Sequence, residues 1–192
     1  MEITEEQHSA AGAIVELISE KLSVKHRIHA ATAITAGARL AGSFMFRSFG
    51  FELKDAEPGS VVLSEEANEK GPVLIGVLQA TLENFGVRVE KEMVEKTEKA
   101  DAQISFMKTM NTLQGPAHDI MQRNALRFEQ MAYSCAIATA FIIKECQANL
   151  DIGSAFNTAM YGFIEGSKTC PPEIRESVQK KKDFFSFWKK MR

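Results

Sequence analysis

Residues 30–49 read AATAITAGARLAGSFMFRSF, a run in which alanine and glycine crowd together ahead of three phenylalanines. The run shows no strand-like alternation of polar and apolar residues. We therefore predict a buried helix from about Lys25 to Phe49, with Gly50 as a natural stop. Its small residues allow another helix or a ligand to approach the backbone closely. Residues 28–46 are long enough to cross a bilayer, but Arg39 near the middle favours a helix buried in a protein core.

Apolar side chains elsewhere recur at three- and four-residue spacing, which is typical of amphipathic helices. Thr4 and Gln7 fit a capping box at the start of the first of them. No segment shows sustained alternation with turn signals at both ends, so strands are not predicted. The fold class is therefore all-α, a helical bundle of six or seven helices. Besides the helix at 25–49, the pattern predicts helices over 4–22, 71–86, 89–113, 116–150, 151–170 and 172–190.

The helix at 116–150 is predicted to be long, because Gly115-Pro116 breaks or sharply kinks the preceding helix and an apolar stripe then runs from Met121 to Cys146. About 35 residues at a rise of 1.5 Å would span about 50 Å. Asn124 falls on its apolar stripe, between Met121 and Phe128, and a buried amide needs a hydrogen-bonding partner.

The length of 192 residues favours one domain over 1–192. Within it, residues 51–71 form an acidic connection, with six carboxylates against two lysines. Residues 60–63 can form a short extended piece packed on the bundle, and Ser64 can cap a helical turn. Residues 172–192 form a basic, aromatic C-terminal helix or tail.

Composition excludes several classes of function. The formal net charge of −2 argues against a generally basic nucleic-acid binder. No basic recognition helix follows a short turn in the first 50 residues, so sequence-specific nucleic-acid binding is not predicted. The start of the chain lacks the basic and apolar stretches of a secretory signal. Three cysteines without a CxxC pair indicate buried thiols in a reducing cytoplasm.

Metal-ligand patterns are weak, and we predict no metal and no cofactor. A diiron bundle needs Glu-x-x-His on two helices, whereas this chain has the pattern once, at Glu5 and His8. His26 and His29 have ligand-like spacing but no carboxylate at the next helical step.

Candidate ligand-binding residues lie in two places. Arg39 stands among small apolar neighbours and must reach solvent, pair with a carboxylate or bind an anion. The second place is a polar cluster after Gly115-Pro116, hereafter the polar cluster, which comprises His118, Asp119, Gln122, Arg123 and Asn124.

The C-terminal segment places cationic side chains beside large aromatic ones. Such a segment suits docking onto the bundle, an acidic partner, an anionic membrane surface or a nucleic-acid backbone. Its candidate partner- or membrane-binding residues are Lys180, Lys181, Lys182, Phe184, Phe185, Phe187, Trp188, Lys189 and Lys190.

The leading interpretation is a non-enzymatic cytoplasmic protein that acts by self-association or partner binding. It would be a homodimer built on the long helices and the small-residue face of residues 30–42. A cleft for a small apolar molecule would be bounded by Arg39 and the polar cluster. Two alternatives remain open. One is an enzyme with an all-α cleft that uses His118 as acid or base near Asp119. The other is a peripheral membrane or adaptor protein acting through the C-terminal tail.

Overall fold

The all-α prediction is confirmed. A computed structural model describes residues 2–25, 27–51 and 56–174, and within these ranges the chain forms seven helices and no strand beyond isolated bridges. The helices are α1 (Glu5–Leu22), α2 (Ala30–Ser48), α3 (Glu65–Asn84), α4 (Lys91–Lys96), α5 (Phe106–Arg123), α6 (Phe128–Glu145) and α7 (Ile152–Lys168). In the described ranges, every helix falls short of the length and apolarity that a bilayer crossing needs.

Helix α2 lies at the centre of the bundle. Every residue from Ala31 to Phe46 is buried, and α2 packs most extensively against α7 and α6. Helix α1 covers α6 and α5, and α3 packs on α6 and α7. A helix that is apolar on all sides must be surrounded by other elements, which is why the small-residue run specifies this arrangement.

The small residues of α2 serve close packing against α7. A Cβ atom on Gly166 would lie 2.5 Å from the carbonyl oxygen of Arg39, and one on Gly42 would lie 2.6 Å from that of Phe163. The two backbones therefore approach each other at a distance that only glycine permits. The small-residue face is occupied within the chain, so it is not available for the two-fold interface that the sequence suggested.

The predicted long helix over 116–150 is wrong. Helix α5 ends at Arg123, α6 begins at Phe128, and Ala125 between them has a left-handed φ of +52°. Because alanine rarely adopts this conformation, the helix end at Ala125 cannot be predicted from the local residues.

Gly115-Pro116 does not interrupt the helix either, because Pro116 lies inside α5. A proline in a helix interior costs about 3 kcal/mol. Burial of Leu113 and Ala117 on either side of it offsets that cost, since both are completely covered.

The predicted helix over 89–113 is also wrong. Only Lys91–Lys96 is helical before α5, and none of these six residues is buried. Residues 94–104, hereafter the strap, instead cross α2 and α7, and α5 begins at Phe106 after Ser105 caps it. An amphipathic spacing without burial is insufficient to hold a helix, since most helical stability comes from packing.

Other helix ends are closer to expectation. Thr4 and Gln7 form the predicted capping box, and the carboxylate of Asp151 caps α7 by accepting from the amide of Ser154. Ser64 caps α3, which begins at Glu65 and passes through Pro72, so the last part of the acidic connection is helical.

The extended piece within the acidic connection is present. Val61 pairs with Thr169, and the amide of Val62 donates to the carbonyl oxygen of Lys168 at 2.8 Å. In α7, Phe156 and Phe163 are buried, whereas Ile164 is 49% exposed. The described residues end at Ile174, so the predicted C-terminal helix lies outside them from residue 175 onward.

Candidate functional site

Arg39 makes an ion pair in which its own side chain is buried and its carboxylate partner is partly exposed. Its side chain is 9% exposed, and Nε donates to Oε2 of Glu165 in α7 at 2.6 Å. Nη1 donates to the carbonyl oxygen of Ile104 at 2.7 Å and to Oγ1 of Thr109 at 3.2 Å. Of the outcomes that the sequence left open for Arg39, pairing with a carboxylate is the one observed.

Arg39 also lines a cleft of about 400 Å³, hereafter the Arg39 cleft. The cleft lies between α2, α7 and the strap. Charged, polar and apolar side chains are mixed in its walls. Its lining comprises Thr35, Arg39, Lys99, Ala100, Asp101, Ala102, Thr158, Tyr161, Gly162, Ile164 and Glu165.

The strap is held by polar side chains of α2 and α7 that bind its backbone. Asn157 Nδ2 donates to the carbonyl oxygens of Val94 and Thr97 at 2.9 Å. The hydroxyl of Thr158 accepts from the amide of Ala100, also at 2.9 Å. Thr32 accepts from the amide of Gln103 in the same way, and Arg39 binds Ile104 as described above.

All four of these side chains are buried. Buried polar groups must be hydrogen-bonded, and the strap supplies the partners of Asn157 Nδ2. The other three side chains also bond outside the strap: Thr32 to His29, Thr158 to Ser154 and Arg39 to Glu165. Sequence reasoning missed Thr32, Asn157 and Thr158. The signal that could have identified them is a polar residue on the buried side of an otherwise apolar helix.

The polar cluster occupies the last half of α5, not the first turns of a helix. The ring of His118 stacks on that of Phe128 with centroids 6.1 Å apart. Arg123 Nε donates to the backbone carbonyl oxygen of Asp119 at 3.3 Å. Gln122 and Arg123 are exposed, as expected for a solvated helix end.

Asn124 is not the buried core amide that the sequence predicted. It is the C-cap of α5, half-buried, and its Nδ2 donates to the carbonyl oxygen of Ile120 at 2.9 Å. The sequence predicts Asn124 in the middle of an apolar stripe, but α5 ends there. The side-chain amide of Asn124 therefore bonds to the last turn of α5.

The structure does not bring Arg39 and the polar cluster together. Arg39 contacts Thr109, which precedes His118 by nine residues, or about 14 Å along α5. No residue of the polar cluster lines the Arg39 cleft. The single cleft predicted between these residues is therefore wrong.

A second and more apolar cavity of about 570 Å³ lies between α1, α3 and α6, hereafter the apolar groove. A Cβ atom on Gly76 would meet no atom within 4 Å, so the wall is open at this point of α3. The sequence did not mark any of its residues as a candidate for ligand binding. The lining comprises Ile3, His8, Val73, Gly76, Val77, Ala80, Thr81, Asn84, Phe85 and Ile137.

Phe85, which lines the apolar groove, packs against a second aromatic ring outside the lining. Phe85 and Phe141 are 37% and 38% exposed, and their rings meet edge to face with centroids 6.2 Å apart. Nζ of Lys144 lies 5.1 Å from the centroid of the Phe85 ring. The ammonium group attracts the Phe85 ring by a cation–π interaction.

The cysteines have the character expected of packed thiols. Cys135 is fully buried in α6, and burial raises the pKa of its thiol far above the ordinary value. Burial also raises the pKa of Cys170, although the neighbouring Arg47 acts in the opposite direction. Both thiols are therefore protonated and weakly nucleophilic at neutral pH.

No known family, curated protein or solved structure matches this chain.

Proposed function

We propose that this chain is a non-enzymatic, cytoplasmic protein that acts by binding a small apolar molecule in the apolar groove. The observation that carries the proposal is the groove itself. Its volume of about 570 Å³ falls within the range of about 300–1,000 Å³ that is usual for small-molecule sites. Among the described residues, His8 is the one ionisable side chain in its lining. Such a cavity favours a ligand that is mostly hydrocarbon, since burial of apolar surface is the main source of affinity.

A small molecule suits the groove better than a partner protein does. The large apolar side chains at its edge, Val73 and Phe85, are each little more than one third exposed. A flat partner surface laid across them would cover little additional apolar area, whereas protein interfaces usually bury about 800 Å² on each side. A molecule that enters at Gly76 would instead fill the hollow in the wall.

The other functions inferred from the sequence have no comparable support. The homodimer stays a prediction, and it needs a surface other than the small-residue face of α2. His118 lines neither cavity. Its stacking on Phe128 is as consistent with simple packing as with a role as acid or base. The residues of the membrane or adaptor alternative lie outside the described ranges.

A variant that fills the groove tests the proposal. Gly76→Leu places a side chain in open space, and leucine favours a helix over glycine by about 0.8 kcal/mol, so the variant should fold. Gly12→Leu is the matched control, because Gly12 is also an exposed helical glycine with no atom within 4 Å of a Cβ. The probe is the neutral fluorophore N-phenyl-1-naphthylamine.

We expect saturable binding of the probe to the unmodified protein and to Gly12→Leu, and at least tenfold weaker binding to Gly76→Leu. Circular dichroism of the three proteins establishes that they are equally folded. Equal binding by Gly76→Leu and Gly12→Leu would contradict the proposal, as would fluorescence that rises without saturation.

A further inference from the structure

The Arg39 cleft carries balanced charge at two depths. At its floor, Arg39 pairs with Glu165, whose side chain is 39% exposed. At its mouth, Nζ of Lys99 pairs with Oδ1 of Asp101 at 2.9 Å. The lining thus holds two cations and two anions, and it belongs to a cavity separate from the apolar groove.

This pairing disfavours ligands with a single charge. An anion that approached the guanidinium of Arg39 would also meet the carboxylate of Glu165, which lies 2.6 Å from Nε. A cation that approached Glu165 would meet Arg39 in the same way. A ligand that carries both charges gains a second ion pair, at Lys99, which offsets the repulsion between its ammonium group and Arg39.

Lys99 is the group best able to exchange its partner. Its side chain is 45% exposed, and Asp101 is 94% exposed. Exposed ion pairs of this kind contribute little to stability, so Lys99 can leave Asp101 for a ligand carboxylate with little loss. By contrast, three hydrogen bonds hold Arg39 in place, and it keeps Glu165 at the floor.

Apolar surface completes the cleft. Ile164 is half-exposed although it lies in α7, and Ala100 and Ala102 of the strap face the same cavity. The ring of Tyr161 lies 5.8 Å from Nζ of Lys99. An exposed isoleucine beside charged groups is expected where a ligand has both an ionic and a hydrocarbon part.

We propose that the Arg39 cleft binds a small zwitterion with the chemistry of an apolar amino acid. The ligand carboxylate pairs with Lys99, its ammonium group pairs with Glu165, and its side chain lies against Ile164. The strap forms one wall of the site and sets its depth.

Isothermal titration calorimetry of the full chain with L-valine tests this proposal. Two analogues isolate the charges: 3-methylbutanoate lacks the ammonium group, and 2-methylpropylamine lacks the carboxylate. We expect saturable binding of valine, and at least tenfold weaker binding of either analogue. Lys99→Met and Glu165→Gln should each weaken valine binding at least tenfold. Lys91→Met should leave binding unchanged, because Lys91 is an exposed lysine of α4 outside the cleft.

Three results would overturn the proposal. They are the absence of saturable heat with valine, binding of either analogue as tight as that of valine, and undiminished binding by Lys99→Met. Lys99→Met is decisive for the site. The lysine side chain makes only exposed contacts, so its loss does not threaten the fold. The result is independent of Gly76→Leu, which alters the other cavity.

Discussion

The amide of Leu126 donates to the carbonyl oxygen of Met121 at 3.0 Å and closes the end of α5. The amide of Ala125 donates to the carbonyl oxygen of Gln122 at 3.1 Å. Together these bonds form a Schellman motif, and the left-handed position that glycine usually occupies in it is held by Ala125.

Replacement of Ala125 by glycine should stabilise the protein. The left-handed conformation costs alanine about 1–2 kcal/mol, of which glycine recovers part because it loses more freedom on folding. We expect Ala125→Gly to raise the free energy of unfolding by about 1 kcal/mol, and Tm by about 2–4 °C for a chain of this size. Urea denaturation measures the first and calorimetry the second.

Gly86→Ala provides the reciprocal control. Gly86 holds the same position at the end of α3 with a φ of +76°, and a Cβ there would meet no atom within 4 Å. Its substitution should therefore destabilise through backbone strain alone. Destabilisation by Ala125→Gly would refute the account of the α5 end.

The same motif explains which helix ends could be predicted from the sequence. Gly50 and Gly86 both have positive φ, and each follows the end of a helix, as the sequence predicts for a glycine at that position. Ala125 gave no such signal, and the opposite error occurred at Pro116, where buried neighbours outweigh the cost of proline. Local sequence therefore predicted the fold class and most helices, whereas the errors at Ala125 and Pro116, like the one over 89–113, depend on tertiary packing.

The candidate site shows a similar division. Arg39 could be singled out because a charge in a run of small apolar residues needs a partner. Its partners Glu165 and Ile104 lie 126 and 65 positions away in the chain, and no local spacing connects them. The walls of the apolar groove come from three helices, so no single stretch of sequence contains them.

The contact between α2 and α7 should be intolerant of one methyl group. A Cβ on Gly166 would lie 2.5 Å from the carbonyl oxygen of Arg39 and 2.9 Å from Cα of Gly42, so the helices must separate. We expect Gly166→Ala to lower the free energy of unfolding by about 1–3 kcal/mol in urea denaturation.

The matched control for that contact is Gly12→Ala in α1. A Cβ at Gly12 would meet no atom within 4 Å, and alanine favours a helix over glycine by about 1 kcal/mol. Opposite signs for the two substitutions are the expected result. A stabilising effect of Gly166→Ala would show that α2 and α7 are not in close contact.

Loss of one hydroxyl should loosen the strap without unfolding the bundle. Oγ1 of Thr158 accepts from the amide of Ala100 at 2.9 Å, and valine has nearly the same shape without the acceptor. A hydrogen bond contributes about 1 kcal/mol, so Thr158→Val should speed amide exchange at Ala100 about fivefold. Hydrogen exchange followed by NMR measures the rate.

Thr112→Val is the control for the strap. The hydroxyl of Thr112 donates to the carbonyl oxygen of Lys108 within α5 and makes no contact with the strap. Thr112→Val should leave the amide exchange rate at Ala100 unchanged. Equal acceleration in both variants would indicate a general loss of stability and not a local opening.

The link between α3 and α6 should depend on pH through Glu129. Its Oε1 accepts from Nζ of Lys70 at 2.9 Å and from the hydroxyl of Tyr133 at 3.0 Å. The hydrogen bond from Lys70, with that from Tyr133, holds the pKa of Glu129 below its ordinary value of 4.5. A carboxyl group with a lowered folded-state pKa stabilises the protein fully above pH 4.5, and this stabilisation is lost as pH falls through the folded-state pKa.

Glu129→Gln should therefore destabilise the protein at pH 7 and have a smaller effect in acid. Lys70 and Glu129 are both partly exposed, so we expect a loss of about 0.2–1 kcal/mol at neutral pH. Urea denaturation at a series of pH values from 7 to 3 measures the difference from the unmodified protein. In a Lys70→Met background the same substitution should cost less, because the main partner is absent. A difference that stays constant down to pH 3 would show that ionisation of Glu129 does not contribute to the link.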